Sequence, residues 1–178
     1  MNKENIDILK KHPAKYARLR YRLRNANVYI SQAGYHFIDY LDPVGEVSPE
    51  IDGSQLTDRE LSYIETQLQA NSQKFQHQVD VLKKHLPIEN TNVLDIGCGG
   101  GLFLSLLKRE GAKVLGIELS DSRAHYAATK HGLEIHKQPI ESDFWQTGYK
   151  NHFDAVTVCD GIQHVNYPAQ TLQRAQHV

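Results

Sequence analysis

The stretch NVLDIGCGGGL, residues 92–102, places four glycines within five positions between an apolar run and a helix-like run. Val93, Leu94 and Ile96 are typical of a buried strand, and residues 102–110 of a helix. Glycine permits a sharp turn and lets a ligand approach the backbone without a Cβ in the way. We therefore interpret residues 97–101 as a nucleotide-type ligand turn rather than a plain strand-to-helix connection.

The chain after this turn continues to alternate strands and helices. Strands are predicted at residues 113–117, 133–137 and 153–158, and helices at residues 121–131, capped by Ser120, and from Pro168 onward. This alternation predicts a parallel sheet with right-handed crossovers. The fold class is therefore α/β, with a Rossmann-like core that contains the first four strands.

Glu118 follows the second predicted strand, 19 residues after Gly99. An acid at this place can accept hydrogen bonds from both ribose hydroxyls of an adenosine ligand. The dinucleotide pattern Gly-x-Gly-x-x-Gly would need a third glycine at position 102, which is Leu102. Asp95 would also lie poorly beside a pyrophosphate, whereas it suits a ligand that carries an ammonium and a sulfonium. The spacing therefore disfavours NAD.

Two longer segments resemble class I S-adenosylmethionine-dependent methyltransferases, especially the bacterial UbiG and Methyltransf_23 type. VLDIGCGGGLFLSLLKREGAKVLGIELS is similar to their first motif and ribose-binding strand, and FDAVTVCDGIQHVNYP to their fourth-strand motif. The resemblance covers residues 91–178. It implies methyl transfer from S-adenosylmethionine to an O, N or C nucleophile of a small-molecule acceptor, with S-adenosylhomocysteine as the product.

The same resemblance assigns the site residues. It implies cofactor contacts by the turn, by the ends of the strands and by the segment after the third strand: Asp95, Gly97, Cys98, Gly99, Gly101, Glu118, Leu119, Ile140 and Cys159. It further implies that Asp160 and His164 lie near the methyl transfer and are the catalytic candidates.

The chain departs from the family pattern in two places. Pro139 stands where the family often has an acid near the adenine amino group, so adenine recognition would rely on backbone groups or on Glu141. The family's Leu-Glu-His is here Ile-Gln-His, which keeps the histidine at position 164. His164 is either a general base or a histidine at a helix start that bonds to the backbone.

Residues 1–88 form a predicted N-terminal α+β extension, and residues 89–178 a partial methyltransferase domain. Residues 27–40 predict a hairpin that turns near Gly34. Thr57 and Glu60 have the spacing of a capping box. One long helix should follow and end before Pro87, with an apolar side made of Leu61, Ile64, Leu68, Phe75, Val79 and Leu82. The two cysteines and ten histidines show no metal-ligand spacing, so we predict no metal.

The first 24 residues carry eight Lys and Arg against two acids, although the net charge of the whole chain is −1. The alternating segment RLRYRLR, residues 18–24, predicts a strand with arginines facing solvent and Leu19, Tyr21 and Leu23 buried. Contact with nucleic acid is the alternative that such a basic arm allows. The eight acids in residues 39–65 offer ion-pair partners within the chain.

Composition and the chain ends complete these expectations. The 178 residues are 40% hydrophobic, no apolar run is long enough for a membrane helix, and the charged N-terminus is unlike a signal peptide, so we expect a cytoplasmic protein. The last helix leads, in the family, to three further strands. We therefore expect a truncated chain whose fourth strand has an unpaired edge, which a homo-oligomer would cover. A non-catalytic S-adenosylmethionine-binding scaffold and an RNA-directed methyltransferase that uses the basic arm are the alternative functions.

Overall fold

The computed structural model describes residues 6–7, 12–13, 18–22, 27–30, 36–38, 56–159, 161–165 and 168–178. Within these ranges the elements follow in the order β1 (Ile6–Asp7), β2 (His12–Pro13), β3 (Arg18–Arg22), β4 (Asn27–Ile30), β5 (His36–Ile38), α1 (Asp58–Ala70), α2 (Ser72–Leu82), β6 (Asn92–Ile96), α3 (Leu102–Arg109), β7 (Lys113–Ile117), α4 (Asp121–His131), β8 (Glu134–His136), α5 (Asp143–Gly148), β9 (Ala155–Thr157) and α6 (Pro168–Ala175). No helix in these ranges is long and apolar enough to cross a membrane.

The centre of the molecule is a parallel sheet with the strand order β8-β7-β6-β9. In its register, Leu94 of β6 lies between Leu115 of β7 and Val156 of β9. This sheet confirms the predicted α/β class. In the described part of the chain β9 pairs with β6 alone, so its outer edge is open, as expected. A second copy that covers this edge stays a prediction.

The N-terminal strands form separate antiparallel pairings. The predicted pairing of the two hairpin strands is confirmed, because β4 pairs with β5 in the register Tyr29 to Phe37, whereas the predicted turn near Gly34 lies outside the described residues. β3 pairs with β4, but its register shifts between Leu19 and Tyr21, which indicates a bulge at Arg20. The predicted burial of Leu19 is wrong, since this side chain is 42% exposed. The extra residue of the bulge breaks the strict alternation on which that prediction depended.

The helical segment before the sheet begins as predicted and then divides. Thr57 Oγ1 accepts from the N–H of Glu60, and the Glu60 carboxylate accepts from the N–H of Thr57, so the capping box is confirmed. The single long helix is wrong, since α1 ends at Ala70 and α2 begins at Ser72. The side chains of Asn71 and Ser72 donate to carbonyl oxygens of the preceding turn, at 2.8 and 2.9 Å. Such local bonds compete with a regular helix.

Apolar side chains cover both faces of the parallel sheet. One face packs on α2, α3 and α4 through aliphatic residues and Phe103. The other packs on α5 and the end of the chain through Trp145, Ile140 and Val178. Successive residues of β6 alternate between the two cores, with Val93 in the first and Leu94 in the second. The sequence did not predict α5, although Ser142 caps it by accepting from the N–H of Phe144.

Candidate functional site

A cavity of about 530 Å³ opens at the carboxyl ends of β6, β7 and β9. The chain leaves β6 towards β7 on one side, while β9 returns on the other side, so the cavity lies at a switch point of the sheet. Open α/β sheets bind their ligands at such points. Of the predicted cofactor residues, all except Gly101 line this cavity: Asp95, Gly97, Cys98, Gly99, Glu118, Leu119, Ile140 and Cys159.

The glycine turn is held against the end of β7. The N–H groups of Gly97 and Cys98 both donate to the carbonyl of Ile117, at 2.8 and 3.0 Å. Gly97 and Gly99 have φ values of +76° and +57°, which residues with a side chain rarely adopt. A Cβ at Gly99 would meet no atom within 4 Å, so this backbone is open to a ligand.

Gly101 has a packing role that its prediction as a cofactor contact did not describe. Its φ is +79°, and a Cβ there would lie 2.5 Å from Leu133 Cδ1 and 2.9 Å from Ala127 Cβ. The glycine therefore allows the start of α3 to approach α4 closely. Gly101 therefore packs between α3 and α4 and does not line the cavity.

Glu118 is 8% exposed, and both of its carboxylate oxygens bond to the backbone. One oxygen accepts from the N–H of Gly99 and the other from the N–H of Ser120, each at 2.8 Å. A carboxylate has about four lone-pair positions, so two remain for a ligand. The predicted ribose acid is thus fixed to the glycine turn and directed into the cavity. Ser120 occupies the N-cap position of α4, but its side chain makes no capping bond.

Asp95 places a second carboxylate under the turn and is 2% exposed. The Thr157 hydroxyl on the edge strand β9 donates to Asp95 Oδ1 on β6 at 2.7 Å and therefore joins these two neighbouring strands at this point. Burial, together with the charges of Asp95 and Glu118, raises the pKa of the Cys98 thiol far above its usual range. Cys98 is consequently a neutral packing group. The floor of the cavity carries negative charge, which suits a ligand with positive charge.

The opposite end of the cavity is formed by residues after β9. Cys159 is half-buried there, and the exposed His164 lies in a 3-10 turn (Ile162–His164) that lines the cavity. The backbone N–H of His164 donates to the carbonyl of Gly161 at 3.0 Å. Asp160, the other catalytic candidate, lies outside the described residues.

The segment after β8 closes the side of the cavity next to Leu119. Pro139, Ile140 and Glu141 line it, and Ile140 is buried. Glu141 accepts a short hydrogen bond from the buried hydroxyl of Thr171. Since that carboxylate oxygen is already bonded to α6, Glu141 connects α6 to the cavity wall. Its alternative role beside adenine stays a prediction.

Helices α1 and α2 form a wall that the sequence did not reveal. Their contributions to the lining lie on one side of the helices: Tyr63, Ile64, Gln67, Leu68, Asn71 and Phe75. A Cβ at Gly100 would lie 3.0 Å from Leu68 and 3.1 Å from Ile64, so the helix packs directly on the glycine turn. The apolar spacing predicted this buried side of the helix but not the surface it covers. The domain boundary after residue 88 stays a prediction.

Comparison with known proteins identifies the family of this chain and shows proteins that share its fold. Residues 54–177 match the Methyltransf_23 family model, described as a methyltransferase domain. The ubiquinone biosynthesis O-methyltransferase of Nitrosococcus oceani is 35% identical over 97 residues, which are 53% of this chain and 41% of that protein. The chain therefore spans about two fifths of the length of this curated relative.

Solved structures match the fold at lower identity. A Thermotoga maritima protein, described as an S-adenosylmethionine-dependent and possible histamine N-methyltransferase, has a TM-score of 0.52 and 24% identity, covering 67% of this chain and 53% of that one. The magnesium protoporphyrin IX methyltransferase of Synechocystis, solved with bound S-adenosylmethionine, has a TM-score of 0.51 and 19% identity, covering 72% and 65%. These matches favour neither the scaffold nor the RNA-directed alternative.

Proposed function

The chain belongs to the Methyltransf_23 family of methyltransferase domains, and on that premise we propose that it binds S-adenosylmethionine and methylates an oxygen nucleophile of a small-molecule acceptor. The observation that carries the proposal is Glu118, a buried carboxylate fixed by two backbone N–H groups at the edge of the cavity. Curated relatives 31–35% identical to the matched part are O-methyltransferases, which supports oxygen as the accepting atom.

The residues of the cavity fit this cofactor. Gly99 leaves open backbone where a side chain would intrude, and Glu118 keeps acceptor positions for two ribose hydroxyls. Asp95 and Glu118 give the floor a negative charge that complements an ammonium and a sulfonium. When bound, the cofactor supplies a methyl group on a positively charged sulfur. The residues that line the cavity bind and orient the cofactor, which brings the reactants together.

Proton removal from the acceptor is assigned to the end of the cavity beyond β9. His164 is exposed at that end and has an imidazole that can accept a proton from a hydroxyl. Asp160 is the second candidate, by its sequence position next to Cys159. A fall in turnover of about 100-fold in His164→Ala, with unchanged cofactor affinity, would be typical of a general base.

Calorimetric titration of the folded chain with S-adenosylhomocysteine tests the proposal. Charge-assisted hydrogen bonds contribute about 1.5–3 kcal/mol each, so Glu118→Ala should weaken binding more than tenfold. Glu134→Ala is the matched control, because Glu134 is exposed on β8 and does not line the cavity. NAD should not bind. A folded sample that binds neither ligand, or an equal loss in both variants, would contradict the proposal.

A further inference from the structure

Two large apolar side chains remain uncovered at the mouth of the cavity. Tyr63 on α1 is 57% exposed, and Leu119 after β7 is 53% exposed. Both line the same cavity, from different walls. A single exposed apolar side chain is ordinary, but two at one mouth form a surface that an apolar ligand can cover.

The course of α1 and α2 shows which part of the ligand Tyr63 would meet. Tyr63 also lines a neighbouring cavity of about 460 Å³ together with Ser120, Ser122 and Arg123, which closely follow Glu118 in the chain. Further along the helices, Phe75 packs against the core that contains Cys98 and has Cys159 at its margin. The helices therefore run from the ribose carboxylate towards the end of β9. Tyr63 lies at the ribose end.

The backbone around Tyr63 is fixed, although its ring is exposed. The next residue, Ile64, is buried against Gly100. Glu65 pairs with Lys130 on α4, with 3.2 Å between the carboxylate oxygen and the amine. These contacts hold α1 above the site from two directions. The Tyr63 backbone consequently has a defined place beside the cavity, while the ring itself is not part of the core.

We infer that Tyr63 is a cofactor-positioning residue that covers the adenine base of the cofactor on the side opposite Leu119. This inference rests on the proposed function, since it assigns one contact of the same ligand. The two faces of a purine are flat and apolar, so an aromatic ring and a leucine side chain can pack on them without a hydrogen bond. Such packing needs no acid at position 139, where the chain has a proline.

Ligand binding by two Tyr63 variants tests the inference. Base-to-aromatic stacking is lost in Tyr63→Ala, and S-adenosylhomocysteine affinity should fall about tenfold. Tyr63→Phe keeps the ring and should bind like the parent chain. The matched control is Phe144→Ala, which removes an exposed ring on α5 that lies away from the cavity.

A shorter ligand separates contact with the base from contact with the amino-acid end of the cofactor. 5′-Methylthioadenosine keeps the base and ribose but lacks the amino-acid end, so Tyr63→Ala should weaken it by the same factor as S-adenosylhomocysteine. The inference is overturned if Tyr63→Ala binds both ligands normally, if it weakens only the ligand with the amino-acid end, or if Tyr63→Phe is as weak as Tyr63→Ala. Failure of the parent chain to bind S-adenosylhomocysteine would instead overturn the proposed function and this inference with it.

Discussion

The two faces of the parallel sheet are packed in opposite ways. On the face towards α3 and α4, glycines bring elements close together, as where Gly116 lies under Cys98 and Gly101 beside Ala127. On the other face aromatic rings fill the space. The ring centroids of Trp145 and Tyr149 lie 5.0 Å from each other, and the ring of Tyr149 stacks on that of Phe153. At Gly101 and Gly116 the first face therefore has no room for an added methyl group, whereas the second face depends on its large side chains. Because the glycine turn belongs to the first face, its packing and ligand binding are coupled.

Removal of the largest side chain of the ring-filled face should have the largest effect. Trp145 is fully buried, and its indole N–H donates to the carbonyl of Gln138 at 2.9 Å. Trp145→Ala should reduce the free energy of unfolding by about 3–5 kcal/mol, as measured by urea denaturation. The folded fraction should keep most of its affinity for S-adenosylhomocysteine, because Ile140 is the one predicted cofactor residue in this core among the described residues. A large loss of affinity in that fraction would show that the two faces are not independent.

Loss of the hydroxyl that joins β9 to β6 should have the second-largest effect. Thr157→Val keeps the shape of the side chain but removes the donor to the buried Asp95. Hydrogen bonds to charged groups contribute about 1.5–3 kcal/mol, and we expect a loss of unfolding free energy in this range. Thr157→Ser retains the hydroxyl and should lose less. A larger loss in Thr157→Ser than in Thr157→Val would contradict this assignment, because Ser keeps the hydroxyl and lacks only the methyl group.

Addition of one methyl group to the close-packed face should be slightly less costly for stability but should also affect binding. A Cβ at Gly116 would lie 2.5 Å from Cys98 Sγ and 2.7 Å from Ile135 Cδ1. Gly116→Ala should therefore cost about 1–3 kcal/mol of unfolding free energy and weaken S-adenosylhomocysteine binding, because Cys98 is part of the turn. Gly148→Ala is the control, since a Cβ there meets nothing within 4 Å. Unchanged S-adenosylhomocysteine affinity in Gly116→Ala would contradict the proposed coupling between packing on this face and ligand binding.

The smallest expected effect is a pH dependence at the end of α4. Burial, and then the charges of Arg109 and Lys130, lowers the pKa of His131 below its ordinary value of 6.5. Because the unfolded chain binds the proton more readily, the contribution of His131 to stability is present above pH 6.5 and is lost as the pH falls below it. His131→Gln should flatten the dependence of unfolding free energy on pH between about pH 7 and 5. Parallel curves for the two proteins would contradict this assignment.

The sequence predicted the elements whose signals are local. The turn could be predicted because the positive φ angles at Gly97 and Gly99 favour glycine, and the apolar runs of β6 and β7 predicted strands that are buried on both faces. The capping box predicted where α1 begins for the same reason. These signals depend only on neighbouring residues, so they can be read without knowledge of the tertiary structure.

Features that depend on distant contacts were missed. α5 has six residues, too few for a helical repeat, and it is held mainly by the burial of Trp145. The end of α1 depends on side chains of Asn71 and Ser72 that bond to the preceding turn. The role of Gly101 needs knowledge of Leu133, 32 positions later, and the wall formed by α1 needs knowledge of its contact with Gly100.

The interruption between α1 and α2 at Asn71 affects how the wall of the cavity can open. α1 buries one of its 13 residues, whereas α3 buries four of eight, so less free energy holds α1 in place. Because α1 and α2 are separate helices, we expect α1 to open locally, against its few contacts, without disturbing the packing of α2. We expect its amide hydrogens to exchange with solvent well before those of β6. A ligand beneath α1 would then leave by local opening of one helix, and its residence time would follow the rate of that opening.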